Sequence, residues 1–482
     1  MRREFRLNEG DAFNTLKVKR SEDRIKSLGF FQENFEIKQT PGSTPDQVVL
    51  TADIEEKSTG ELQLSAGYSS LERLVVAASV TQRNFMGKGQ TASASLNWSR
   101  YSRSASLGFS EPYLFDRAIL LGGEIYRRDY NSFNYVGGER ETTYSQRSNG
   151  LGLRLGFPVT EYLSFGTRYS LVHDDISLSK SRFYTDGECD VLKAGSYLCD
   201  EIGGRITSSV GYTLAFNNTN GVRPTRGQRI VFSQDFAGLG GDVKYLRSRL
   251  DGTKYFQLPA GFVLSAHAEG GYIHPLQRST SDGRDAIRIT DRFFGSQLRG
   301  FDIRGIGPRI QRVRYDSTGE LDYGQATESD TLGGRAYYMG RLEVEFPTSS
   351  AMRSLGLRPS AYVDVGSVWK VKTPNLNDSL GTCSKSAVAP TPENPTGTPG
   401  EVVPILEPGL SCQDITGETG FTRNNGSREF LLGNSPKPRL SIGIGVNWIS
   451  PFGPLRLDLA KALIDQEGDE TKLFSFNVGT QF

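Results

Sequence analysis

The residues of this chain best placed to do chemistry are arginines and carboxylates, and the chemistry they offer is ion pairing. Between Pro275 and Arg335 a long polar stretch carries Arg292-Phe293-Phe294-Gly295-Ser296-Gln297-Leu298-Arg299-Gly300-Phe301, then Gly305-Ile306-Gly307-Pro308-Arg309. Downstream, Arg341, Glu343 and Glu345 alternate with Leu342, Val344 and Phe346, and Tyr362 and Asp364 alternate with Ala361, Val363 and Val365. A guanidinium and a carboxylate can share two parallel charge-assisted hydrogen bonds, which holds two segments together in one geometry. Bond-making chemistry has less to work with. The only histidines, His173, His267 and His274, have no metal-ligand spacing, and there is neither a Gly-x-Ser-x-Gly elbow nor a phosphate-cradling loop. The chain is expected not to be an enzyme and to need no cofactor.

These residues must be positioned by strands. From Gly60 onward the hydrophobic period is two: Leu151, Leu153, Leu155 and Phe157 alternate with Gly152, Arg154 and Gly156, and Leu440, Ile442, Ile444, Val446 and Trp448 with Ser441, Gly443, Gly445 and Asn447. Short connections (85–90, 112–117, 158–161, 258–261, 450–454) alternate with long ones expected at 127–144, 172–205, 274–335 and 370–437. That asymmetry is the mark of an outer-membrane barrel, here with about sixteen antiparallel strands, an even number as such barrels have. A soluble sandwich has the same alternation, but so many strands and such long loops would overfill it. The last ten residues add to this reading, with Phe474, Phe476, Val478, Thr480 and Phe482 on one face and small polar residues on the other. In a barrel the apolar positions face lipid, so Glu343 and Asp364 face the lumen. By pattern alone Arg299 could pair with them or remain solvated above a wet, carboxylate-lined channel.

Composition agrees with this architecture: 55 glycines, 10% aromatics and only 36% hydrophobics, with no apolar run near the ~18 residues of a membrane helix. With 56 basic and 55 acidic residues the net charge is +1, so no global field favours nucleic acid. Cys189, Cys199, Cys383 and Cys412 form two nearby pairs in polar loop-like stretches, as expected of two loop disulfides in an oxidising compartment. Residues 1–57 differ from the rest. A helical pattern with Val18, Ile25 and Leu28 ends at Gly29, and two strands, 31–40 and 47–56, flank the turn from Pro41 to Asp46. This is a small α+β module ahead of a barrel at 58–482. The chain opens mid-element at Met1-Arg2-Arg3, which reads as a piece of a longer protein.

Leu298-Arg299-Gly300-Phe301 resembles the Val/Ile-Arg-Gly-Phe/Tyr tetrad in the sixth surface loop of the Omp85 superfamily, and within it the outer-membrane barrel-assembly factors. Arg83-Asn84-Phe85-Met86-Gly87-Lys88-Gly89, Glu111-Pro112-Tyr113, Pro224-Thr225-Arg226-Gly227 and Tyr362-Val363-Asp364-Val365-Gly366-Ser367-Val368-Trp369 match in order and spacing. Leu28-Gly29-Phe30-Phe31 looks like the end of a POTRA helix, so residues 1–57 would be the last, partial POTRA module. The resemblance implies that Arg299, Gly300 and Phe301 fold back into the lumen and that Arg299 locks onto Glu343 and Asp364. It also implies a lateral seam between the first strand, with Gly60, Leu62, Leu64 and Gly67, and the last, with Phe474, Phe476, Val478, Gly479 and Phe482. Through such a seam the family inserts barrel proteins into the outer membrane. The implied partners are the lipid bilayer, unfolded outer-membrane clients and periplasmic assembly lipoproteins on the POTRA module, with one copy per complex. A two-partner-secretion-type polypeptide transporter is the alternative, and a passive pore stands behind it.

Overall fold

The computed structural model describes the chain apart from residues 1–3, 33–35, 70–72, 137–138, 221–223, 279–282, 296–297, 325–327, 350–351, 353–354, 386–399, 451–452 and 479–482. The N-terminal module opens with a helix at Thr15–Ser27, started by the Asn14 side chain accepting from the Lys17 N–H and ended before Gly29, whose φ of +69° closes the turn. The strands Ile37–Pro41 and Val48–Ala52 pair antiparallel with Ile37 opposite Ala52, and Phe31 bridges Glu56. Val18, Ile25 and Ile37 are buried between helix and hairpin, with Leu50 and Ile54 against them. The period change read at residue 57 is thus a change from a packed two-layer core to a wall.

Among the described residues sixteen antiparallel strands form that wall. They are β1 (Gly60–Ser69), β2 (Arg73–Phe85), β3 (Gln90–Ser99), β4 (Ser102–Glu111), β5 (Leu120–Val136), β6 (Glu139–Pro158), β7 (Leu163–Ser177), β8 (Gly203–Asn217), β9 (Gly227–Gly241), β10 (Tyr245–Gln257), β11 (Val263–Pro275), β12 (Ala336–Glu345), β13 (Leu357–Trp369), β14 (Arg439–Ser450), β15 (Gly453–Ile464) and β16 (Phe474–Val478). Each pairs with its neighbours in sequence, and β16 pairs back onto β1, closing the barrel. Outward positions are apolar and exposed around the wall: Leu64, Leu96, Leu107, Ile125, Leu250, Leu342 and Ile444 are among them. A belt this extensive in water would drive aggregation, whereas in hydrocarbon it costs nothing, and the ladders between neighbouring strands satisfy the backbone of the wall. The protein is a transmembrane β-barrel.

One expected loop is not a loop. Residues 127–144 are the upper halves of β5 and β6, paired across one register shift between Asn131 and Phe133 as far as Val136 opposite Glu139. Past the lipid belt the outward positions no longer need apolar side chains, so Arg127, Asp129 and Arg147 interrupt the alternation while the ladder continues. The other long connections stand, the first two shortened at their ends: 178–202 (loop 4), 276–335 (loop 6) and 370–438 (loop 7). Loop 6 turns into the barrel, and Leu298, Phe301 and Ile306 are buried with the wall residues Ile273, Tyr337, Met339 and Val368. Above it loops 4, 6 and 7 share a second buried cluster that includes Leu178, Leu198, Ile289, Ile310 and Val371. Cys189 is bonded to Cys199 within loop 4 and Cys383 to Cys412 within loop 7.

Candidate functional site

The register of β12 and β13 sets Arg341 opposite Asp364 and Glu343 opposite Tyr362, so all four side chains leave the wall on the lumen side. On the next pair of strands, Arg456 and Asp458 of β15 sit opposite Asn447 and Gly445 of β14. Loop 6 lowers Arg299 into this patch. Arg299 donates from Nε and Nη2 to the two carboxylate oxygens of Asp364 at 2.8 and 2.6 Å, and from Nη1 to Glu343 Oε2 at 2.9 Å. Arg341 Nε reaches the same Asp364 at 3.2 Å. Glu343 also accepts from Ser360 Oγ at 2.6 Å and from Arg456 Nη2 at 3.2 Å, while Arg456 grips Asp458 through two bonds of 2.8 and 2.9 Å.

Three guanidiniums therefore face three carboxylates, and the cluster is neutral as a whole. Neutrality matters because Asp364 is fully buried and Arg299 is 5% exposed. Charges held out of water are tolerable only when each is paired and hydrogen-bonded. Tyr362 supplies a further contact, its ring centre lying 3.2 Å from the Arg299 guanidinium carbon in a cation–π arrangement. Gly443, opposite Tyr362, makes room for that ring, since a Cβ there would lie 2.6 Å from it.

Gly300 follows at φ +89°, and a Cβ on it would sit 2.9 Å from the Ser441 Cβ and 3.4 Å from that of Ala460. The tetrad needs its glycine for both handedness and close approach to the wall. Gly300→Ala is expected to lose about 1–2 kcal/mol to the left-handed backbone and about 1–3 kcal/mol to overpacking, read as a lowered urea midpoint of the folded barrel. An unchanged midpoint would show that loop 6 can back away from the wall freely.

Outside the membrane the loops are knit by buried charge. Arg312 donates to Glu429 at 2.7 Å and to Glu328 at 3.1 Å, and Arg288 pairs with Glu201 at 3.2 Å. Tyr197 donates to Asp330, and burial together with that carboxylate pushes the phenol well above its usual pKa, so it stays a donor throughout the physiological range.

The seam residues fall on opposite sides of the β16/β1 junction. β1 pairs with β2 at ten successive positions, from Gly60 opposite Gln82 to Ser69 opposite Arg73. β16 pairs with β15 at five, from Leu459 opposite Phe474 to Leu455 opposite Val478. Between β16 and β1 the described residues make one pair, Val478 opposite Tyr68. Gly60 and Gly67 lie on β1, Leu62, Leu64 and Phe474 are exposed outward, and Phe476 is half-buried. Gly479 and Phe482 lie outside the described residues.

Sequence reasoning missed Arg341 as a partner, Arg456, Asp458 and the Tyr362 ring. It also found no metal spacing among the histidines. Across strands, Asp251, His267 and Glu269 bring ligand atoms within 4.8 Å of one another, but Arg229 already donates to Asp251 at 3.0 Å and Tyr337 to Glu269 at 3.4 Å. Those carboxylates have protein partners on the wall.

Residues 84–482 match the Omp85 superfamily domain, and residues 1–57 match the surface antigen variable number repeat, a POTRA-type module. The outer membrane protein assembly factor BamA of Neisseria meningitidis serogroup B is 28% identical over 498 residues, covering 100% of this chain and 54% of the relative. BamA of Neorickettsia risticii is 28% identical over 494 residues, with 100% and 53% covered. The chain spans about half the length of these curated relatives. The structure of BamA from Haemophilus ducreyi lacking POTRA domains 1-3 shares the fold, with a TM-score of 0.70 and 24% identity over 100% of this chain and 81% of that one. The lipid-facing belt is that of a barrel of the bacterial outer membrane, with the POTRA module on its periplasmic side. With the family domain matched across most of its length and a sixteen-stranded wall around an inserted sixth loop, the chain belongs to the Omp85 superfamily.

Proposed function

We propose that this chain is the barrel and adjoining periplasmic module of an assembly factor that folds β-barrel proteins and inserts them into the outer membrane through the seam between β1 and β16. The observation that carries this reading is a wall whose first and last strands meet, β16 paired back onto β1 with Val478 opposite Tyr68, in a chain of the Omp85 superfamily. When such a junction parts, its edges offer their backbone groups to an incoming strand, which is β-augmentation. In hydrocarbon each unpaired backbone group costs several kcal/mol, so client pairing supplies the driving force and neither nucleotide nor cofactor is needed.

In this reading the Arg299 cluster is a conformational lock. It pins loop 6 and stiffens β12 to β15, so that flexing is confined to the strands beside the seam. Unfolded outer-membrane clients and periplasmic assembly lipoproteins docked on the N-terminal module are the partners, with one copy per complex. A passive pore is disfavoured by loop 6, whose buried residues take up lumen that a diffusing solute would need. The test is reconstitution in liposomes. The protein is expected to speed folding of a urea-denatured barrel client by about tenfold or more, about 1.4 kcal/mol off the barrier, read by gel mobility. Equal rates with and without it would overturn the proposal.

A further inference from the structure

Loop 6 does more than enter the lumen. Beyond Arg299 it runs beside loop 8 (465–473), the connection that leads directly into β16. Phe301 bridges Thr471 in antiparallel fashion, with Lys472 N–H donating to Gly300 O at 3.0 Å and Asp302 N–H donating to Glu470 O at 2.8 Å on either side. Glu470 N–H in turn donates to Gly305 O at 2.8 Å. Side chains reinforce the pairing. Arg309, 1% exposed, holds Glu470 at 2.6 Å and the Arg304 carbonyl at 2.8 Å, and Lys472 reaches Asp302 at 3.4 Å. On its other side loop 8 is tied to the wall through Asp469 and Arg439, both side chains fully buried, and Arg439 also donates to Ser367 of β13 at 2.8 Å.

We infer that segment 300–305 and residues 470–472 form a strap through which the Arg299 cluster controls the seam. The residue after Arg299 is hydrogen-bonded to a residue two positions before Phe474. β16 therefore cannot swing away at its upper end while the strap holds, and the strap is held in place by the lock. Asp302, Gly305, Arg309, Glu470 and Lys472 are positioning residues for the gate. The inference rests on the proposed opening between β1 and β16.

The test uses the full chain in nanodiscs, spin-labelled through Ser65→Cys and Phe474→Cys, with all four native cysteines engaged in disulfides. Glu470→Ala removes the partner of Arg309. Gly305→Ala presses a methyl onto the Glu470 carbonyl. Neither touches the arginine cluster. Both are expected to raise the long-distance population across the seam by about tenfold, out of the low occupancy usual for a minor state. Arg299→Ala should do the same, and combining it with Glu470→Ala should add little, because both act through one connection. A disulfide staple, Asp302→Cys with Glu470→Cys, should restore the short distance in the Arg299→Ala background even if either strap variant folds poorly. Folded strap variants with an unchanged seam, or a staple without effect, would overturn the inference. Client folding distinguishes the two levels: if the seam responds to the strap but clients fold regardless of its state, the strap stands and the assembly reading fails.

Discussion

Arg299→Ala is expected to cost the folded barrel about 3 kcal/mol, the lower end of the range for breaking a buried ion pair by removing one partner. The loss falls on Asp364, which surrenders both of its short bonds to the guanidinium and keeps Arg341 at 3.2 Å and the longer 3.4 Å bond from the backbone N–H of residue 299. Glu343 suffers less, because Ser360 and Arg456 remain on its other oxygen. The measurable result is a lower urea midpoint and a weakened heat-modifiable band on gels. Arg299→Lys should recover only part of it, since an ammonium is a point charge and cannot span two carboxylates as a planar fork does. Pairing Arg299→Ala with Asp364→Ala should cost less than the sum of the two, because the orphaned carboxylate is then gone. Unchanged mobility, midpoint and protease resistance in Arg299→Ala would sink the lock.

Closing the seam covalently should have the larger biological effect. Tyr68 and Val478 are directly opposed, a separation that a disulfide spans. The pair Tyr68→Cys and Val478→Cys, oxidised, is expected to abolish assembly of new outer-membrane proteins and with it viability, and a reductant should restore both. The control carries Ser at Cys189, Cys199, Cys383 and Cys412, so that the new bridge is the only one. Normal assembly with a fully oxidised seam would rule out lateral opening.

The lumen face of Glu343 and Asp364 could be read from alternation because lipid enforces a strict period of two on Leu342, Val344, Val363 and Val365. Leu455, Leu457 and Leu459 alternate with Arg456 and Asp458 in the same way, so the lumen face of those two was open to the same logic, although sequence reasoning did not apply it there. What alternation cannot supply is register across four strands, and register decides that Arg456 meets Glu343. Where the lipid belt stops, as between Arg127 and Tyr144, the signal stops too although the strands do not. Loop 8 was illegible for a related reason. Residues 465–472 are polar and aperiodic, and their partners lie more than 160 positions away in loop 6. The tetrad around Arg299 was found through family resemblance, whereas the strap next to it left no local trace.

The two disulfides each close within a single surface loop, with separations of 10 and 29 residues, and neither joins one wall strand to another. Their formation therefore asks nothing of the barrel. A chain still unfolded in an oxidising compartment can acquire both bridges early, since short loops close quickly and at modest entropic cost. The tied loops then travel as small preformed knots, and strand pairing in the membrane proceeds without waiting for thiol chemistry. Oxidation and insertion are in this way separable steps in the biogenesis of the machine itself.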